Sequence, residues 1–308
     1  MAQAELQTDV SRALFERLID HAALFPPASM ELPAAAAEDR RARASAYAWM
    51  VDRFICPASK LADLAAVMPF ERAPDLSVVL DGVGRAAPDA WAEALAADVE
   101  LMAEARREGA PVAAVEVRLP EPRPQSAALV GAARALRPLG VDVYYELVPG
   151  ERWRDSLPAA IGAVATLGGR VKLRCGGATA DAFPPVELVA LVIVACLEAR
   201  VAFKATAGLH HPIRHVEAAT GFHMHGFLNL LAATTFAHAR GSRASAVQWV
   251  LAEEDPGAFE IGAGRISVAG LEASAAEAAA ARGELFHGYG SCSWQEPVDD
   301  LRALGVLE

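Results

Sequence analysis

From residue 53 onward, short β-branched runs alternate with alanine- and leucine-rich stretches of helical spacing, and this alternation constrains the fold more than any other feature. The runs fall at 53–56, 76–80, 112–119, 141–148, 170–175 and 201–207, with weaker ones at 265–269 and 285–289. Helical stretches separate them at about 58–68, 88–108, 126–137, 151–166 and 184–199. A longer helical region spans about 226–254 with a break at Gly241, and further helices are expected at 271–283 and 297–304. Eight strand–helix units in about 250 residues is the size of a (β/α)8 barrel. The predicted fold class is therefore α/β, a TIM-type barrel. An open doubly wound sheet would need a Gly-rich fingerprint after its first strand. Asp81-Gly-Val-Gly-Arg85 follows the second strand and lacks the third glycine.

The first fifty residues carry no such alternation. Leu14, Phe15, Leu18, Ile19 and Ala22 repeat at helical spacing until Pro26-Pro27 interrupts them. A second helical stretch covers about 33–50, with Arg40, Arg41 and Arg43 on it. The expected organisation is a helical N-terminal extension over 1–50 and a single barrel domain over 51–308. Asp20-His21, ahead of Leu24-Phe-Pro-Pro-Ala28, is read either as a plug in the barrel or as a segment reaching its mouth.

Composition narrows the function classes. The chain is 54% hydrophobic with a mean hydropathy of +0.23, enough to bury a large core. A net charge of −11 argues against nonspecific binding to nucleic acid or to anionic membranes. The amino terminus shows no basic or apolar signal pattern, and the longest unbroken apolar run, 188–197, is too short to span a bilayer. Four scattered cysteines fit neither a disulfide framework nor a zinc ribbon. A cytoplasmic protein is expected, and a homo-oligomer is compatible with the sequence. Only Lys60, Lys172 and Lys204 are lysines among 28 basic residues. A lysine retained in a buried context is then suspected of a task arginine cannot perform, losing its proton to become a nucleophile.

Period-two alternation sorts the charged residues. Lys172 and Arg174 share one face of their run, and Lys204 and Thr206 lie opposite Val201 and Phe203. Glu116 and Arg118 oppose three apolar positions, Tyr144 shares a face with Glu146, and Asp81 closes its strand in the same manner. Barrel strands are apolar toward the surrounding helices, so these polar faces look inward, near the carboxyl ends where barrel enzymes place their chemistry. Three acidic and four basic inward groups would draw a small anionic substrate, a carboxylate or a phosphate.

At this pair of runs the chain resembles class I aldolases of the deoxyribose-phosphate aldolase type. Lys172-Leu-Arg-Cys-Gly-Gly177 is similar to that family's Schiff-base strand, and Phe203-Lys204-Ala-Thr-Ala-Gly208 to its following lysine-plus-glycine strand. The resemblance covers about 40 residues, with Leu-Arg-Cys standing where the family has Thr-Ser-Thr. It implies a cofactor-free lyase in which Lys172 forms the imine, Lys204 is the cation that lowers its pKa, and Glu146 or Glu116 moves protons. The reverse assignment of the two lysines stays open. The segments Leu24–Ala28, Gly208–Pro212, Met224–Asn229 and Gly290–Trp294 also resemble a bacterial protein family, which implies no particular activity.

Six of eight histidines lie between 210 and 238. One reading makes His210 or His211, directly after the sixth run, a substrate-orienting group or general acid. The competing reading is a metal-dependent hydrolase or lyase in which His211, His223, His225 and Glu146 hold Zn²⁺ or a similar divalent ion. Asn229 falls four residues after His225 on the same helical face, and with Asp81, Arg118, Arg174 and Thr206 it is a candidate substrate contact. Ser293-x-x-Glu296 with Pro297 reads as a capping box, and the Gly/Ser loop carrying Ser291 and Ser293 is a candidate anion cradle. Cys292 reads as a packed thiol. A barrel that binds an anion without catalysis is the remaining alternative.

Overall fold

The computed structural model describes residues 10–120, 125–241, 244–262 and 264–308. The amino terminus, where no signal pattern is expected, lies outside them. Eight parallel strands close into a barrel: β1 (Ile19–His21), β2 (Val51–Pro57), β3 (Leu76–Val79), β4 (Val112–Arg118), β5 (Asp142–Glu146), β6 (Arg170–Arg174), β7 (Phe203–Thr206) and, last in the chain, β13 (Phe286–Ser291). Around the barrel β1 is followed by β13, β7, β6, β5, β4, β3 and β2. The intervening helices cover its outside, so each strand buries an apolar face outward and turns its other face into the lumen.

Seven of these strands coincide with expected runs, and the eighth is a correction. The run at 265–269 is not a barrel strand. Arg265–Val268 (β11) lies between β10 (Phe259–Gly262) and β12 (Leu271–Ser274) in a separate antiparallel sheet. The barrel is closed instead by β1, which pairs Ile19 with Tyr289 on one side and with Val51 on the other. The described part of the expected extension, residues 10–50, is thus woven into the barrel through β1 rather than appended to it. A helix over 10–15 ends where Arg17 takes a left-handed conformation (φ 49°), and its N–H donates to the Trp49 carbonyl. Leu18 and Ile19 fit a helical stripe as well as a strand, and three residues are too few to show a period of two.

The expected break at Gly241 is present: helix Phe227–Arg240 ends there, with φ at 82°, and Ala244–Ala252 follows. Among the described residues one stretch, Ala180–Ala199, is long and apolar enough to cross a membrane. Its helical part, Val186–Ala199, packs against Trp153–Thr166 and Ala244–Ala252 and buries Leu188, Val189, Val192 and Ile193. That packing accounts for the apolarity of its buried side.

Candidate active site

The lumen-facing residues of adjacent strands are brought level by register: Glu146 stands beside Lys172, and Lys172 beside Lys204. Around them the side chains form an alternating chain of charge. Lys204 donates to Asp20 of β1 and to Glu116 Oε1 at 2.6 Å. Glu116 Oε1 also accepts from Ser77 Oγ at 2.7 Å. The other oxygen of Glu116 pairs with Lys172 Nζ at 2.9 Å, and Lys172 reaches Glu146 at 3.0 Å. Beyond Glu146, Arg118 and Arg174 approach its Oε1 at 3.9 and 4.0 Å. Asp20 also accepts from the Arg53 N–H at 3.1 Å, and the Tyr144 ring lies 5.5 Å from Lys204 Nζ.

A gradient of exposure runs along this chain. Lys204 and Glu116 are sealed, Lys172 keeps 8% of its surface, and the two arginine side chains are nearly half exposed. Burial works against each charge, yet the partners prevail. It pushes the Glu116 carboxyl up, but Lys172 and Lys204 hold it well below the usual carboxylate range. It pushes Lys172 down, but Glu116 and Glu146 raise it above an ordinary lysine, and Asp20 and Glu116 do the same for Lys204. Both lysines rest as ammonium ions. The expectation that Lys204 lowers the pKa of Lys172 is corrected accordingly, because Glu116 bridges the two and compensates both charges.

Lys172, Lys204, Glu116 and Glu146 therefore converge as expected, with Arg118 and Arg174 at the rim. Thr206 ends β7 in register with both Arg174 and Gly290. Four other expected residues serve the scaffold. Asp81 does not join the lumen cluster. It accepts from the N–H and Oγ of Ser59 and pairs with Arg85, tying the segments that follow β2 and β3. Asn229 is sealed from solvent: it accepts from the Arg214 N–H and donates to the Val250 and Glu253 carbonyls. Ser291 Oγ donates to the Ser293 carbonyl, and Ser293 Oγ accepts from the Glu296 N–H, so both fix the turn into helix Gln295–Ala303.

The four residues of the metal reading are not assembled. Glu146 belongs to the lumen cluster, His223 is exposed beside Glu254, and buried His225 donates from Nε2 to the Pro184 carbonyl at 2.7 Å. His211 instead clusters with His215 and Glu217 on the loop after β7. His210 Nδ1 lies 3.2 Å from Glu296 and 4.0 Å from Cys292 Sγ, and these two neighbours push its pKa up to about 10. Cys292 is half-buried rather than packed away. Both of its neighbours meet the same imidazole nitrogen, so the three do not form a relay. A cleft of about 550 Å³ lined by Glu187, Arg214 and Trp249 shares no residue with the lumen cluster.

No family model matches this chain, and no curated protein does. The fold is one that commonly houses enzymes, with chemistry at the carboxyl ends of the strands, and the charged cluster lies toward that end. Asp20 and Ser77 are the members that sequence reading did not place in the site. Ser77, on the same strand face as Val79, had an alternation signal that could have found it.

Proposed function

We propose that the protein is a lyase-type, aldolase-like enzyme acting on a small carbonyl compound that bears a carboxylate or phosphate, with Lys172 as the imine-forming amine. The observation that carries this reading is the position of Lys172: inside the lumen, next to the rim, and within 3.0 Å of two carboxylates that can exchange protons with it. Lys204 is sealed behind it and serves as a positioning residue that keeps Glu116 ionised.

The resting ammonium must lose a proton before it can attack. A substrate anion docked on Arg118 and Arg174 draws their charge away from Glu146, which becomes more basic and takes the proton from Lys172. The free amine adds to the carbonyl carbon, and the carbonyl oxygen leaves as water with protons returned by the carboxylates. The iminium then acts as an electron sink. The α–β carbon bond breaks, its electrons form an enamine, and the β-hydroxyl proton passes to a carboxylate. Protonation of the enamine at carbon and hydrolysis of the imine restore Lys172.

Borohydride reduction in the presence of short 2-oxo acids and phosphorylated aldehydes tests this. A covalent adduct is expected on Lys172 by peptide mass mapping, and it should be lost in Lys172→Arg, since arginine keeps the charge but not the nucleophile. An adduct on Lys204 would reverse the two roles. Undiminished turnover of a substrate by Lys172→Arg would overturn the imine reading.

A further inference from the structure

The loop after β7 carries a second constellation that the lysine chemistry does not use. It folds back as a two-stranded hairpin, β8 (His215–Val216) and β9 (His223–Met224), beside His211. Donor atoms of His211, His215 and Glu217 lie within 4.8 Å of one another. The hydrogen bonds around them set the tautomers. His211 Nδ1 is 2.7 Å from Asp300 Oδ2, on helix Gln295–Ala303, and His215 Nδ1 is 3.0 Å from the Ile213 carbonyl oxygen. Both partners are acceptors, so each Nδ1 carries the hydrogen and each Nε2 presents a lone pair.

His215 Nε2 is buried and has no hydrogen-bond partner, with Glu217 Oε2 4.0 Å away, too far for a hydrogen bond. The other carboxylate oxygen of Glu217 accepts from the Ala219 N–H at 3.2 Å, and the Glu217 backbone is fixed by bonds to Phe222 and Gly221. A buried imidazole nitrogen left unpaired is costly. A carboxylate–histidine pair such as Asp300–His211 is the usual outer support of a metal-ligating imidazole.

We infer that His211, His215 and Glu217 form a binding site for a first-row divalent metal ion of the Zn²⁺ class. Two neutral imidazoles and one carboxylate suit that class and disfavour Mg²⁺ and Ca²⁺, which prefer all-oxygen sites. Three protein ligands leave a coordination position open to water or to a substrate oxygen. The site follows β7, at the carboxyl end of the barrel. It stands independently of the imine reading.

Metal-free protein titrated with Zn²⁺ by calorimetry, and with Co²⁺ by visible absorption, should bind one ion per chain, with Co²⁺ bands of low-coordinate nitrogen–oxygen ligation and no thiolate charge transfer. His215→Ala and Glu217→Gln should each weaken binding by more than about a hundredfold, and Asp300→Asn by about 10–100-fold, as expected for an outer partner. His223→Ala and Lys172→Arg should bind as the wild type does. Should His215→Ala fail to fold, Glu217→Gln in its partly exposed turn carries the test. Absence of stoichiometric binding, or binding that survives Glu217→Gln, would overturn the assignment. So would binding lost in Cys292→Ser, which would move the ion to the neighbouring His210 group.

Discussion

Replacing Lys204 with methionine removes the innermost cation while keeping much of the side-chain volume. Asp20 is then left with the Arg53 N–H as its described donor, and Glu116 keeps only Lys172 and Ser77. Both carboxylates are at most 4% exposed, so water cannot make up the loss. Removing one partner of a buried ion pair costs about 3–5 kcal/mol. At about 2 °C per kcal/mol, the lower end of the range for large domains, the melting temperature should fall by about 6–10 °C. Asp20→Asn in the Lys204→Met background removes the stranded charge and should recover about 2–3 kcal/mol as a coupling of opposite sign. Urea denaturation of the wild type, both single variants and the double variant at pH 7 measures this directly. The wild-type pH profile adds a signature. Glu116, with its pKa held down, contributes stability above about pH 4.5 that is lost as pH falls. Lys204, with its pKa held up, contributes below about pH 10 and the contribution fades at higher pH. Lys204→Met should reduce the alkaline limb to the share that Lys172, also held up by its carboxylates, supplies. A Lys204→Met variant within about 1 kcal/mol of wild type, or no relief from Asp20→Asn, would refute the description of Lys204 as a buried ammonium held by two carboxylates.

Two further outcomes follow from the same contacts. Asn229→Ala strands one backbone N–H and two carbonyls, and should cost about 2–4 kcal/mol in thermal denaturation without changing the site of any borohydride adduct. Burial, with Arg214 adding to it, lowers the His225 pKa to about 4, and burial with Arg170 lowers His287 to about 4. The unfolded chain therefore takes up protons first as pH falls from about 6.5 to 4, and stability should drop through that window. His225→Gln, which keeps a donor for the Pro184 carbonyl, should remove about 3 kcal/mol of that decline in denaturant titrations at stepped pH.

The lumen cluster was legible where strands were long enough to alternate. Val115-Glu116-Val117-Arg118 and Val171-Lys172-Leu173-Arg174 announce their faces by the period of two, and the barrel follows from the rhythm of runs and helices. Asp20 was not legible as a strand residue, because its three-residue strand is shorter than one readable period and sits among residues that also fit a helical stripe. Arg265–Val268 misled for the opposite reason: a hairpin strand and a barrel strand of equal length share one local pattern, and only the pairing partner separates them. Asp81 and Asn229 were read as ligand-facing because a polar residue at a strand end or on an apolar helix signals a buried role. Whether that role is to hold a substrate or a stretch of backbone depends on contacts distant in the sequence, such as Asn229 with Val250 and Glu253. The metal alternative for the histidines after residue 210 joins His211 to His223, His225 and Glu146, whereas the structure sets His211 beside His215 and Glu217 through a hairpin whose turn no spacing rule foretells.

The placement of β1 also governs when this molecule becomes whole during synthesis. Its neighbours are β2, about thirty residues on, and β13, made only after residue 286 has left the ribosome. Until then the edges of β7 and β1 that will face β13 stay open, a template for wrong pairing that a chaperone would have to guard. Asp20 sits on that late-closing seam, and its partner Lys204 lies on the strand that waits on the far side of it. Ring closure and the arrival of the second carboxylate on the innermost lysine thus become one event, Glu116 of β4 being the first. A nascent chain stalled before its final strand carries Lys204 without the neighbouring wall that brings Asp20 to it.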